Sequence, residues 1–189
     1  MLAAAWLQRA RTVLQTGGLI GYPTEGVYGL GCDPGDEAAV RRLCTLKQRP
    51  LSAGLILIAA DARQLAGYIA PNERELARLL AAAGERAITW LIGAGPLTAP
   101  WITGGRDQVA VRITTHPMAA ALCVAAGMPL VSTSANRRGR PPARSLLQLR
   151  RWFGAELDLI LPGPTGAAVG PSEIRDAMTG RVLRPGAAG

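Results

Sequence analysis

Residues 116–136 read HPMAAALCVAAGMPLVSTSAN, and this run decides the fold class. Met118 to Ala126 has the apolar composition of a packed helix, and Gly127 stops it. Leu130 to Thr133 is an apolar run of strand length. Ser132-Thr133-Ser134-Ala135-Asn136 then sets hydroxyls and an amide at the strand's carboxyl end. A helix that returns at once into a buried strand is half of an alternating α/β unit. Small polar residues at that end of a strand face a ligand crevice in open sheets, or else close a hydrogen-bonded turn.

The same alternation extends in both directions. Strands are expected over 19–22, 55–59, 88–92, 109–113, 130–133 and 157–161, most of them continuous apolar runs suited to burial on both faces. Helices are expected from the amphipathic opening MLAAAWLQRAR, over 36–47 with Asp36 as N-cap, and from Asp61 to near Tyr68. Further helices are expected over 71–83 with Pro71 in the first turn, 118–126 and 145–153. Residues 173–178 and 181–184 flank Thr179-Gly180 as a hairpin. The expected architecture is α/β (or α+β): a single domain over 1–189, core about 18–184, with a twisted mixed sheet flanked by helices. No repeat or linker interrupts it, and 185–189 are expected to be loose.

Composition narrows the classes of function. Apolar residues make up 49% of the 189 and aromatics only 4%, so the core is aliphatic. The 23 glycines and 14 prolines show no period, which excludes collagen-like and low-complexity readings. The net charge of +8 favours a polyanionic partner without choosing among nucleotide, nucleic acid and membrane surface. Three scattered cysteines and one histidine argue against a disulfide framework or a structural zinc, and for a reducing cytosol. The longest apolar run is far short of the roughly 20 residues of a membrane span, so a soluble, cytoplasmic protein is expected.

Several chemistries fall away on motif grounds. There is no G-x-x-x-x-G-K-[ST] loop. Gly29-Leu30-Gly31-Cys32-Asp33-Pro34 begins like a dinucleotide fingerprint but has proline at the third glycine position. No G-x-S-x-G elbow accompanies the serines. What remains is polar residues set just beyond apolar strands. In Tyr22-Pro23-Thr24-Glu25-Gly26, Thr24 either caps a turn or offers its hydroxyl to a ligand. In Lys47-Gln48-Arg49-Pro50 the cations either complement a helix C-terminus or aim at phosphates. Arg112, inside the apolar strand Val109-Ala110-Val111-Arg112-Ile113, needs a carboxylate of the protein or an acidic ligand. Residues 137–144 carry four arginines and no acid: a solvated loop, or one facing RNA or phosphate.

Together the stretches GYPTEGVYGLGCDP, LKQRPLSAGLILIAA, VAVRITTHP, PLVSTSAN and PSEIRDAMTG resemble the YrdC-like family, the threonylcarbamoyl-AMP synthases, from about Gly18 to Arg184. The resemblance implies that family's fold around a basic cavity. It implies a nucleotidyltransferase that joins L-threonine, bicarbonate and ATP into threonylcarbamoyl-AMP and pyrophosphate, for threonylcarbamoyladenosine modification of tRNA next to the anticodon. It implies that Thr24, Arg112, Ser132 and Ser172 line the threonine pocket. Lys47, Arg49, Ser134, Asn136 and Arg184 lie near ATP, with Lys47 and Arg49 stabilising charge and no dedicated catalytic residue. Mg²⁺ arrives with ATP, and neither a protein-held metal nor a tightly bound organic cofactor is implied. The product passes to tRNA threonylcarbamoyl transferase proteins, and weak contact with tRNA or other RNA is a further expectation.

Three departures from the family pattern stand out. Glu85-Arg86-Ala87 replaces Pro-Gly-Pro, Ile58 stands where other branches have a histidine, and Arg137-Arg138 replace a small or apolar pair. The rival readings are an RNA-binding module in tRNA or ribosomal RNA maturation without adenylate chemistry, and a domain that binds nucleotide or amino acid without reaction.

Overall fold

A computed structural model describes residues 2–81, 88–168, 170 and 172–186. Nine strands form one mixed sheet: β1 (Ile20–Pro23), β2 (Tyr28–Cys32), β3 (Ile56–Ala59), β4 (Ile88–Gly93), β5 (Gln108–Ile113), β6 (Leu130–Ser134), β7 (Leu159–Ile160), β8 (Glu173–Asp176) and β9 (Val182–Arg184). Their order is β7-β1-β2-β6-β3-β5-β4-β8-β9. Pairing is parallel for β1–β7, β3–β5 and β4–β8 and antiparallel elsewhere.

Around the sheet lie α1 (Leu2–Gln15), α2 (Glu37–Lys47), α3 (Glu73–Ala81), α4 (Pro100–Thr103), α5 (Pro117–Ala126) and α6 (Leu146–Phe153). Their ends follow local chemistry. The Asp36 side chain accepts from the Ala39 N–H and opens α2, and Ser145 does the same for Gln148 at α6. Asp61 caps only a short 3-10 turn, Ala62–Leu65. Proline starts α5, and Gly127 ends it in the left-handed region.

The strands' two-residue period splits the core into two clusters, one on each sheet face. Leu57 and Val131 join Val40, Leu43, Leu149 and Phe153 on one side. Ile58 and Leu130 join Ala10, Leu14, Leu122 and Cys123 of α1 and α5 on the other. The Thr179-Gly180 hairpin forms between β8 and β9 as expected. Two expectations need correction. The strand expected over 157–161 pairs only at Leu159–Ile160. More important, β2 was not anticipated: residues 28–32 are a fully buried strand between β1 and β6. Its glycines alternate, so both Gly29 and Gly31 face the same way, where a side chain would collide. A Cβ on Gly31 would sit 3.0 Å from the Tyr22 ring, and one on Gly29 would sit 3.0 Å from Thr24 Cγ2. The end of the helix expected over 71–83, and the Glu85-Arg86-Ala87 departure, lie outside the described residues.

Candidate active site

A cavity of about 860 Å³ opens on the sheet face that carries α1 and α5. The register explains its floor. Leu130 belongs to the cluster on that face, so Ser132 and Ser134, two and four residues on, point the same way. Gly29 pairs with Ser134 and leaves the floor open beside Thr24 and Ser132. Arg112 lies opposite Ile58 on the same face. The roof is the segment 163–168, fastened by backbone bonds from Gly166 N to Thr24 O and from Ala168 N to Glu25 O, both 2.9 Å. Tyr28 donates its hydroxyl to Gly163 O, and a His116 ring nitrogen meets Pro164 O at 3.1 Å.

Seven of the nine expected residues line this cavity: Thr24, Arg49, Arg112, Ser132, Ser134, Ser172 and Arg184. They come from sequence positions up to 160 residues apart, so the fold rather than the chain brings them together. Lys47 and Asn136 stand behind the wall. The Lys47 ammonium donates to Ser134 O, to Asn136 O at 2.8 Å and to Asn136 Oδ1 at 3.4 Å, and Ser134 Oγ donates to that same Oδ1 at 2.6 Å. Lys47 is thus a buried strut under the Ser134–Asn136 corner. Burial, then the nearby Arg49 charge, brings its pKa down to about 8.

Of the two alternatives for Arg112, the structure shows the first, a carboxylate of the protein. One guanidinium nitrogen meets Glu25 Oε2 at 3.4 Å, while its buried Nε–H has no partner. Thr114 donates to the other Glu25 oxygen at 2.7 Å. Burial alone would raise the Glu25 pKa, but Arg112 and then Thr114 outweigh it and hold the carboxyl below its ordinary value. Arg49 spends its donors on the carbonyls of Ala53 and Gly54, and Arg184 on Ser172 O. Burial, then Arg49 and Arg112, holds Arg184 below its usual range, a sign that the three guanidiniums feel one another. The cavity's second carboxylate, Glu173, pairs with Arg175. Thr24 donates to Val27 O at 2.7 Å, closing its turn while remaining on the wall, and Ser172 Oγ shares a 2.8 Å bond with Thr89.

Sequence reasoning missed Glu25, Thr115, His116 and the roof at 166–168. Glu25 was visible as the acid beside Thr24, and His116 as the only histidine, but no spacing tied either to the strands they serve.

An α/β protein whose large cavity gathers three guanidiniums beside a row of hydroxyls defines a class: a binder of phosphorylated ligand together with a small polar molecule. The Sua5–YciO–YrdC family model, described as Telomere recombination, matches residues 12–186, and the chain belongs to that family. It is 52% identical over 185 residues to the threonylcarbamoyl-AMP synthase of Nitrosococcus oceani, covering 97% of this chain and 100% of that one. It is 48% identical over 176 residues to the Escherichia coli protein of the same name, covering 92% of each. Among solved structures, Pyrococcus abyssi Sua5 in complex with L-threonine superposes with a TM-score of 0.86 at 32% identity, over 95% of this chain. This chain spans only 54% of that longer protein. Escherichia coli YciO superposes with a TM-score of 0.83 at 26% identity, over 95% of this chain and 88% of that one.

Proposed function

We propose that this chain is an enzyme, a nucleotidyltransferase that makes threonylcarbamoyl-AMP and pyrophosphate from L-threonine, bicarbonate and ATP for tRNA modification. The observation that carries the reading is the convergence of Arg49, Arg112 and Arg184 on one cavity beside a row of hydroxyls. Three guanidiniums around one half-buried space repel one another and Glu25 meets only one of them, so an anion belongs among them.

Threonine's carboxylate is that anion. Its amine and bicarbonate give a carbamate with loss of water; a carbamate oxygen attacks the α-phosphorus of ATP, and pyrophosphate leaves with the displaced electron pair. Thr24, Ser132 and Ser172 orient the amino acid next to Arg112. Arg49 and Arg184 hold the triphosphate, with Ser134 at the sugar–phosphate end. Two anions must be brought together and charge neutralised as the phosphorus is attacked, which is the work of positioned cations and hydroxyls. Lys47 acts through the Ser134–Asn136 corner that it braces. Both carboxylates on the wall are engaged by arginine, so Mg²⁺ would be carried in by ATP rather than held by the protein, and would supply further charge neutralisation.

No helix among the described residues is long and apolar enough to cross a membrane, and we place the enzyme in the cytoplasm, handing its product to threonylcarbamoyl transferase proteins. Incubation with ATP, threonine and ¹³C-bicarbonate, followed by mass analysis, tests the reading. A labelled threonylcarbamoyl-AMP is expected; ATP and threonine binding without that product would overturn it.

A further inference from the structure

Behind the wall that Lys47 braces lies a second cavity, of about 530 Å³, lined by Gln48, Asn136, Arg137, Arg138, Arg140, Pro141, Trp152 and Phe153. We propose that it is a separate binding site for a nucleoside phosphate, with the base against Trp152 and Pro141 and the phosphate between Arg138 and Arg140.

Three features support this. First, the cations are gathered by the backbone rather than drifting free in a loop. Arg138 N donates to Lys47 O at 3.0 Å, Arg140 N to Arg137 O at 3.0 Å, and Asn136 Nδ2 to the carbonyls of Arg137 and Arg140 at 3.2 and 2.8 Å. Like charges held close repel one another, and an anion relieves that repulsion. Only Arg137 is compensated: it pairs with Glu156 at 2.9 Å and lies 5.4 Å from the Phe153 ring centroid. No acidic partner meets Arg138 or Arg140 among the described residues, and both are exposed.

Second, the other walls are flat and apolar or carry amides. A guanidinium pair beside an indole and a proline suits a planar ring bearing a phosphate, and sequence-tolerant stacking of bases on aromatic side chains is common. Third, Gln48 is the only non-glycine among the described residues with positive φ, at 54°. It ends α2 in a conformation that usually selects glycine or asparagine. Gln48 also lines the cavity, so an amide-bearing side chain belongs to its lining.

The pocket touches the first cavity through one residue. Asn136 lines the second cavity, and its Oδ1 accepts from Ser134, which lines the first. A ligand against Asn136 therefore reaches the Ser134 hydroxyl through a single side chain.

The test is a calorimetric titration of the full chain with 5′-AMP, with the trinucleotide ApApA and with inorganic phosphate. Each is repeated on the Arg138→Ala/Arg140→Ala double variant and on Arg184→Met, which alters the nucleotide end of the first cavity. A binding event for 5′-AMP that weakens at least tenfold in the double variant and is unchanged in Arg184→Met supports the site with a free nucleotide as ligand. The same pattern with ApApA alone supports it with a nucleotide of an RNA strand as ligand. Phosphate bound as tightly as 5′-AMP would show that the aromatic wall is idle and overturn the proposal. So would any outcome in which the double variant binds both nucleotides as the native chain does. Because both substituted arginines lie at the surface and outside the first cavity, a native thermal melt and native far-UV circular dichroism of the double variant serve as the folding control.

Discussion

Lys47→Met separates bracing from stability, because two effects of similar size oppose each other. Methionine keeps the apolar stem and removes the ammonium. Ser134 O and Asn136 O then lose their donor, a loss of roughly 1–3 kcal/mol for each buried acceptor left unmet. Against this, the native chain holds a cation where burial has lowered its pKa from 10.5 to about 8. At neutral pH that depression opposes folding by about 3 kcal/mol, at about 1.4 kcal/mol for each pH unit. The two nearly cancel, so the variant should unfold within a few degrees of the native chain. Activity has no such compensation. The Ser134–Asn136 corner loses its strut, and displacing a ligand-positioning group by about 1 Å costs on the order of 100-fold in rate.

The lysine's signature is a pH dependence. Below pH 8 the ammonium is charged in both folded and unfolded chains, and the penalty is constant. Between pH 8 and 10.5 the unfolded chain holds more protons at this site, so its contribution makes stability rise with pH. The buried Cys32, Cys123 and Tyr22 have raised pKa values and act in the opposite sense, since the unfolded chain releases their protons first. Subtracting the Lys47→Met curve from the native curve isolates the lysine. The difference should climb by about 3 kcal/mol across that window, or roughly 6–12 °C in Tm for a chain of this size. Thermal melts from pH 7 to 10.5 and a pyrophosphate-release assay read both quantities. A native rate in Lys47→Met, or a flat difference curve, would refute the reasoning.

Other perturbations follow from the same geometry. Arg112→Lys keeps a charge but loses the fork that meets Glu25 and leaves Nε free; threonine KM should rise at least tenfold in steady-state assays, while ATP KM moves little. Glu25→Gln leaves Arg112 charged, buried and unpaired, and should destabilise the fold by about 3–5 kcal/mol. Because the Glu25 pKa is depressed, its contribution is present above pH 4.5 and lost as pH falls through the folded value, so the variant should also show a flatter acid limb in melts from pH 5 to 3. Gly29→Val should abolish synthesis with modest change in secondary structure by circular dichroism, since the added atoms fill the floor between Thr24 and Ser132.

The sheet was legible wherever burial wrote a continuous apolar run: β3, β5 and β6 were all read to within about two residues. Cap chemistry did the same for α2, whose Asp36 makes the bond its position implied. β2 was illegible for a physical reason. Its inward face is glycine at alternate positions, because Tyr22 and Thr24 need that space, so the strand lacks the side chains by which strands are recognised. Site residues at strand ends were legible because polar groups there are costly unless used. Glu25, His116 and the roof at 166–168 were not, because their roles depend on loops that meet only after the sheet has formed. For Lys47 and Asn136 the residue types were informative and the direction was not: nothing in K-x-R-P says which cation faces the cavity and which turns behind it.

That division of labour bears on why a carboxylate sits in a cavity built for anions. Arg49, Arg112 and Arg184 would repel one another strongly in a half-buried space, and backbone carbonyls satisfy only the outer two. Glu25 lies next to the third. Its contact with Arg112 is 3.4 Å, longer than a good charge-assisted bond, and engages one nitrogen of the guanidinium. A tight two-point pair would have consumed the guanidinium and closed the site to substrate; no carboxylate at all would have left the empty cavity to bear the full repulsion. A single long contact stabilises the empty cavity and still leaves Arg112 able to donate to the threonine carboxylate we propose it holds. It follows that Glu25→Asp, with a shorter reach and the same charge, should retain more stability than Glu25→Gln and bind threonine at least as tightly as the native chain, and isothermal titration would contradict this account if the aspartate variant bound threonine more weakly.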